Sequence, residues 1–299
     1  MSDNNQNYTQ QSERVQESFD KDTWLKQKQK DRNDAFASID SEVKKFTDID
    51  KLNTYLNVQS RFDKYSVGNA VLIAASKPEA EKLADAKTWQ KNGVYIKKGE
   101  RGITILEPGE EFKREDGSTG VNYNAKKVFD ISQTTAEKKS QESKNYDISK
   151  IISSLIQSSP VNVCRNSILP DDKNVYFNSR DNAIVIREGI LAEEIVRELS
   201  KEIVSLRVGS EKTAEEGTTV LRAYAVSYIV CKRYNIEPPG SDFKSKLFDG
   251  LNAQAIRSEL GKIRSEANSI CNNIDRQLKP KAKSRSEEHT SELQSPIYI

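Results

Sequence analysis

Six residues, Lys97-Lys98-Gly99-Glu100-Arg101-Gly102, break an apolar stretch and constrain the surrounding chain more than any other segment. Val94-Tyr95-Ile96 precede them, and Ile103, Ile105 and Leu106 come after. The two glycines permit the positive φ of a tight turn between strands, which puts three cations at one end of a sheet. A helical segment ends just upstream at Asn92-Gly93. Strand alternation turns the Tyr95 ring away from Val94 and Ile96, whereas Trp89 falls where that helix must pack and reads as core. Cations for phosphates beside flat rings for bases are what a single-stranded nucleic-acid site requires.

Charge along this region is segregated. Five cations and one acid lie between Lys87 and Arg101, and five acids and two cations between Glu107 and Asp116. A solvated surface usually mixes the signs. The formal net charge of the 299-residue chain is only +2, so an anion site here is a local patch. No apolar run is long enough to span a bilayer, and MSDNNQNYTQQSERVQ lacks the apolar core of a secretory signal. Cys164, Cys231 and Cys271 are odd in number, far apart and without metal spacing. Buried free thiols in a reducing cytoplasm are expected, with no membrane partner.

Residues 1–20 are polar and aperiodic and read as a disordered tail. A first domain over 21–134 opens with helices. Phe36, Ile39, Val43 and Phe46 share one face, and Leu52, Tyr55, Leu56 and Val58 continue it after a recap at Asp48-Ile49-Asp50. Ser66 can cap the helix carrying Asn69, which ends before Pro78, and Pro78 to Gln90 reads as a further helix. Glu110 to Gly120 form a charged hairpin with Asp116-Gly117 at its tip. A polar linker spans 135–146. The second domain, 147–279, has short strands at Val161 to Cys164, Val175 to Phe177 and Asn182 to Ile186, then helices at Glu188 to Leu206, Thr213 to Tyr234 and Leu251 to Leu278. In the last, Ile256, Leu260, Ile263, Ala267, Ile270 and Ile274 alternate spacings of four and three; packing on its own domain is expected over dimerisation. Within the tail 280–299, residues 285–295 (RSEEHTSELQS) resemble a translated sequencing adapter and are set aside, so the native continuation beyond Ser284 stays open. They hold His289, the single histidine.

Three ordered motifs flank the basic turn: Tyr65-Ser66-Val67-Gly68-Asn69 ahead of it, Trp89 with Gly93-Val94 and Lys98-Gly99 around it, and Val128-Phe129 with Gln133 after it. Together they resemble the N-terminal domain of ArdC-type antirestriction proteins and their LtrC-like relatives on conjugative elements. Ser66-Val67 departs from that pattern, which places Gly nearer the Tyr. The resemblance implies an α+β chain: a small domain of helices and antiparallel sheet that binds single-stranded DNA without sequence preference, then a mostly helical zincin-like domain. Tyr65, Asn69, Lys91, Tyr95, Lys97, Lys98, Arg101, Tyr123, Lys126 and Lys127 are the expected nucleic-acid residues. Conjugation or restriction proteins are the further partners it implies.

The second domain of that family resembles a zincin peptidase, whose helix carries His-Glu-x-x-His to grip zinc, with Glu as general base. Here the corresponding run is Arg197-Glu198-Leu199-Ser200-Lys201, in which Glu198 alone matches. Arg and a surface ammonium offer a metal no lone pair. Leu221 to Tyr234, resembling the helix of the third ligand, contains no acid. A pseudo-metallopeptidase without catalytic residues, metal or cofactor is therefore expected. Arg197 either pairs with Glu193 on a solvated face or offers charge to a phosphate or an acidic partner. An adaptor using the inactive cleft and an active metallopeptidase are the alternatives to DNA binding.

Overall fold

The computed structural model describes residues 20–136, 145–167, 169, 173–210, 216–241, 243 and 247–279. Most of the expected tail 1–20, the middle of the linker and the tail 280–299 with its adapter-like run lie outside the described residues. Within them the chain is α+β.

Caps set the first helices. α1 (Lys21–Val43) starts at Asp20, whose carboxylate accepts from the Asp22 N–H, and buries only Ala35, Ile39 and Val43. Its first turns are solvated. Phe46, in the 3₁₀ turn after α1, joins the core. α2 (Ile49–Arg61) restarts on the Asp48 side chain and buries Leu52, Tyr55, Leu56 and Val58, as its stripe predicts. α3 (Val67–Ser76) is capped by Ser66. A Cβ on its Gly68 would stand 2.9 Å from Ile39 Cδ1, so glycine permits α3 to approach α1 this closely.

β1 (Leu83–Ala84), β2 (Ile103–Lys113) and β3 (Thr119–Asp130) form an antiparallel sheet of order β1-β3-β2. The helix expected from Pro78 shrinks to α4 (Ala86–Lys91). The reason is non-local: the Glu81 and Lys82 N–H groups donate to the Asp130 carboxylate at 2.8 and 2.9 Å, which holds this stretch extended. Val94-Tyr95-Ile96 is likewise no full strand; Ile96 bridges Thr134 alone. Trp89 is buried and donates its indole N–H to the Phe129 carbonyl, so it is core.

The second half runs α5 (Ile148–Ser158), β4 (Asn162–Asn166), β5 (Val175–Asn178), β6 (Ala183–Arg187), α6 (Ala192–Gly209), α7 (Glu216–Arg233) and α8 (Ala253–Leu278). β6 lies between a parallel β4 and an antiparallel β5. The heptad positions of α8 are all buried in this chain's own core, which accounts for that stripe without a second copy. Inside it, Arg222 of α7 and Glu259 of α8 form a buried two-point pair at 2.6 and 3.0 Å. Cys231 and Cys271 are buried, but Cys164 is exposed, contrary to expectation, because β4 is an edge strand. One apolar cluster includes residues of α1 to α3, the β2–β3 sheet and α5 to α8. No described helix is long and apolar enough to cross a membrane.

Candidate nucleic-acid interface

The basic turn is a corner between two pairings. On one side the Tyr95 N–H donates to Thr135 Oγ1 at 3.0 Å, the Thr135 N–H returns to the Tyr95 carbonyl at 2.8 Å, and the Lys97 N–H reaches the Gln133 carbonyl. On the other, Ile103 opens β2 opposite Val128. Gly99 takes φ +87°, as a turn glycine must. Gly102 serves differently: a Cβ there would lie 3.0 Å from both Lys127 Cβ and the Phe129 ring, so its smallness lets the turn sit down on β3.

Gln133 locks the corner. Its side chain accepts from the Asp130 N–H and donates to the Arg101 carbonyl and the Glu100 carboxylate, each at 2.9 Å. The motif that includes Gln133 is visible in the sequence, yet its positioning role is not, since it depends on groups about thirty residues away. Asp130 anchors the other side. Burial opposes its ionisation, but donors from Ser132, Lys82 and Glu81 prevail and hold its carboxyl below the ordinary value.

The expected residues separate into two sets. Lys98 and Arg101 are exposed and their side chains make no ion pair or hydrogen bond among the described residues. Lys97 donates to the Ser132 carbonyl at 3.1 Å, which fixes its stem while leaving its charge uncompensated. Lys91 is exposed at the end of α4, four residues before Tyr95, whose ring is 58% exposed. These five residues flank one corner.

The other five do not join them as free contacts. Asn69 is buried: its amide donates to the Leu106 carbonyl and accepts the Leu106 N–H, both at 2.8 Å. It covers the open edge of β2 as a strand would, and its burial keeps it out of a ligand's reach. Tyr123 lies opposite Pro108, about 17 Å along the strand from the turn, with its ring edge-on to Phe36. Tyr65 packs edge-on against Phe62, and burial raises its hydroxyl pKa. Lys126 is neutralised by Asp85 at 3.0 Å and Glu107 at 3.2 Å. Lys127, on the opposite face, donates to Thr104 Oγ1 at 2.6 Å.

Residues 36–153 match the family model for the N-terminal domain of anti-restriction factor ArdC. This stretch of the chain is similar to the N-terminal domain of ArdC. The metal-free crystal structure of antirestriction protein ArdC from plasmid R388 superposes with a TM-score of 0.51 at 15% identity, covering 72% of this chain and 85% of that one. The Mn(II)-bound structure of the same protein gives 0.46 at 14% identity over the same shares. At such identity the likeness is one of fold. A comparison with curated proteins finds no match.

Beyond residue 153, the α6 run expected to correspond to a zincin motif carries internal ion pairs. Arg197 donates to Glu194, three residues earlier rather than the expected Glu193, with Nε at 3.0 Å, and to the Glu237 carbonyl at 3.1 Å. Lys201 pairs with Glu198 at 2.6 Å. The donor set does not fit zinc: a guanidinium and an ammonium stand where two neutral imidazoles would be needed. Ser200, between them, bonds to Ser227 on α7 at 2.9 Å inside the core. The adjacent cleft, about 480 Å³, is lined by Glu194, Glu198, Glu202 and the cations Lys173 and Lys201. It does not present the cationic face that the alternative reading of Arg197 requires.

Proposed function

We propose that the ArdC-like domain binds single-stranded DNA without sequence preference and that the chain serves a plasmid antirestriction role. What carries this reading is the Gln133-locked corner, where Lys98 and Arg101 keep uncompensated charges beside an exposed Tyr95 ring. The held backbone of the turn presents these cations to phosphates, and an exposed ring stacks on any base, contributing roughly 1–3 kcal/mol per base. A duplex hides those faces. The second segment, on this reading, keeps a zincin-like frame without metal-dependent hydrolysis. Antirestriction protein ArdC of plasmid R388 supplies the biological context by likeness of fold and domain family.

The test is a titration of the full chain with single-stranded and duplex oligonucleotides at several salt concentrations. Single strands should bind more tightly. Lys98→Ala with Arg101→Ala should lower the slope of log affinity against log salt by about 0.7 per lost phosphate contact. Tyr95→Ala should lower affinity with the slope intact. Equal affinity for duplex would remove the stacking argument. Protection of unmodified DNA in restricting cells expressing the chain tests the antirestriction role, and metal analysis of purified protein tests the second segment.

A further inference from the structure

Two cavities share Arg233 as a wall residue: one at the seam between α2 and α7, the other between Tyr146 and the ends of α7 and α8. One, about 490 Å³, is walled by Asn57, Arg61, Glu81, Lys232 and Asn235 besides Arg233. The other, about 880 Å³, is walled by Arg233, Tyr146, Asn272, Asp275, Arg276 and Lys279 among others. Five cations therefore face two acids. Arg233 is matched by Asp63 at 2.6 Å and approaches Asp275 at 3.9 Å. Arg61, Lys232, Arg276 and Lys279 form no ion pair among the described residues: Arg61 donates to the Pro78 carbonyl, and Arg276 to the Asn272 carbonyl and the Asn273 side chain. Asn57 and Asn272 add neutral amides, and Tyr146 lines the larger cavity with a partly buried ring set edge-on to Tyr234 at 5.1 Å. Cations without ion pairs in two adjoining cavities, with amides and a tyrosine ring on their walls, suit a flexible polyanion.

The smaller cavity is linked to the basic corner by a chain of hydrogen bonds. Arg61 donates to the Pro78 carbonyl and Glu81 belongs to the 78–82 loop, which Asp130 fastens through the Glu81 and Lys82 N–H groups. Three residues beyond Asp130, Gln133 holds the corner itself. We propose that this seam groove is a second anion track, which carries the phosphodiester backbone of a single strand onward from the corner. The inference rests on the reading of the corner as a DNA site and adds that the second half of the chain contributes to binding.

The test uses the full chain with two labelled oligothymidylates, of about 6 and about 20 nucleotides, one within and one beyond the range of single-strand site sizes of about 4–16 nucleotides. The seam variant carries Lys232→Glu, Arg276→Glu and Lys279→Glu; the corner variant carries Lys98→Ala and Arg101→Ala. Lys26→Glu with Lys30→Glu, on the solvated turns of α1, controls for bulk charge. The seam variant should bind the short probe as the parent does but lose most of the affinity gain of the long one. Its long-probe salt slope should fall by about 0.7 per phosphate contact removed. If its melting temperature drops, the same positions changed to Gln carry the comparison, with the same direction expected. Unchanged long-probe affinity and slope, or equal weakening in the α1 control, overturns the groove. Should the corner variant alone lose both probes, the groove fails and the corner reading stands. Should the seam variant lose binding while the corner variant keeps it, the corner reading fails instead.

Discussion

At the scale of single residues, side chains that hold backbone groups matter as much as those that face solvent. Asn69 satisfies both backbone groups of Leu106 in a buried setting. Asn69→Ala therefore leaves an N–H and a carbonyl without partners, and should cost about 1–3 kcal/mol. Urea denaturation checks this: the midpoint should fall with the m-value unchanged. A change below about 0.5 kcal/mol would mean that water reaches Leu106. The same residue shows what a sequence conceals. Its place in a Tyr-to-Asn motif is legible and suggests ligand contact, but the partner lies 37 residues away. Tyr95 and Trp89 are separable from sequence, because strand alternation and helix packing are local rules. Gln133 is legible only as part of a motif.

At the scale of elements, caps and apolar stripes make α1, α2, α3 and α8 readable, since each depends on residues within a turn or two. The stretch from Pro78 to Ala84 is not, because Asp130 draws its N–H groups across to β3. The same carboxylates give these elements an acid sensitivity. Lys126, then Thr88, hold Asp85 well below the usual carboxylate range at the N-cap of α4, and Asp130 is also lowered. A depressed folded-state pKa stabilises above the unfolded value, about 3.9 for Asp, and that contribution is lost as pH falls through the folded value. The melting temperature should thus decline from about pH 4 downward. Asp130→Asn should lower it near neutral pH and flatten its acid dependence. A variant as acid-sensitive as the parent would assign the effect to other carboxylates.

At the scale of the whole molecule, the seam proposed to carry DNA is also structural. Tyr224 of α7 donates to Asn53 of α2 at 2.8 Å. The Asp63 carboxylate takes Arg233 at 2.6 Å, and its carbonyl takes Arg264 of α8 at 2.9 Å. Buried apolar residues of both halves belong to one cluster. Domain boundaries read from composition say nothing about this, because a polar linker is compatible with separate or fused cores. The two tryptophans, Trp24 and Trp89, both lie in the first half, whereas far-UV circular dichroism also samples the long helices of the second. If the halves unfold as one unit, fluorescence and dichroism must trace the same denaturation curve. Asp63→Ala should shift both midpoints together, because it strands a partly buried guanidinium at the junction. Two resolved transitions, with only the fluorescence curve moved by the substitution, would instead show halves that fold separately and meet at a surface too weak to couple them.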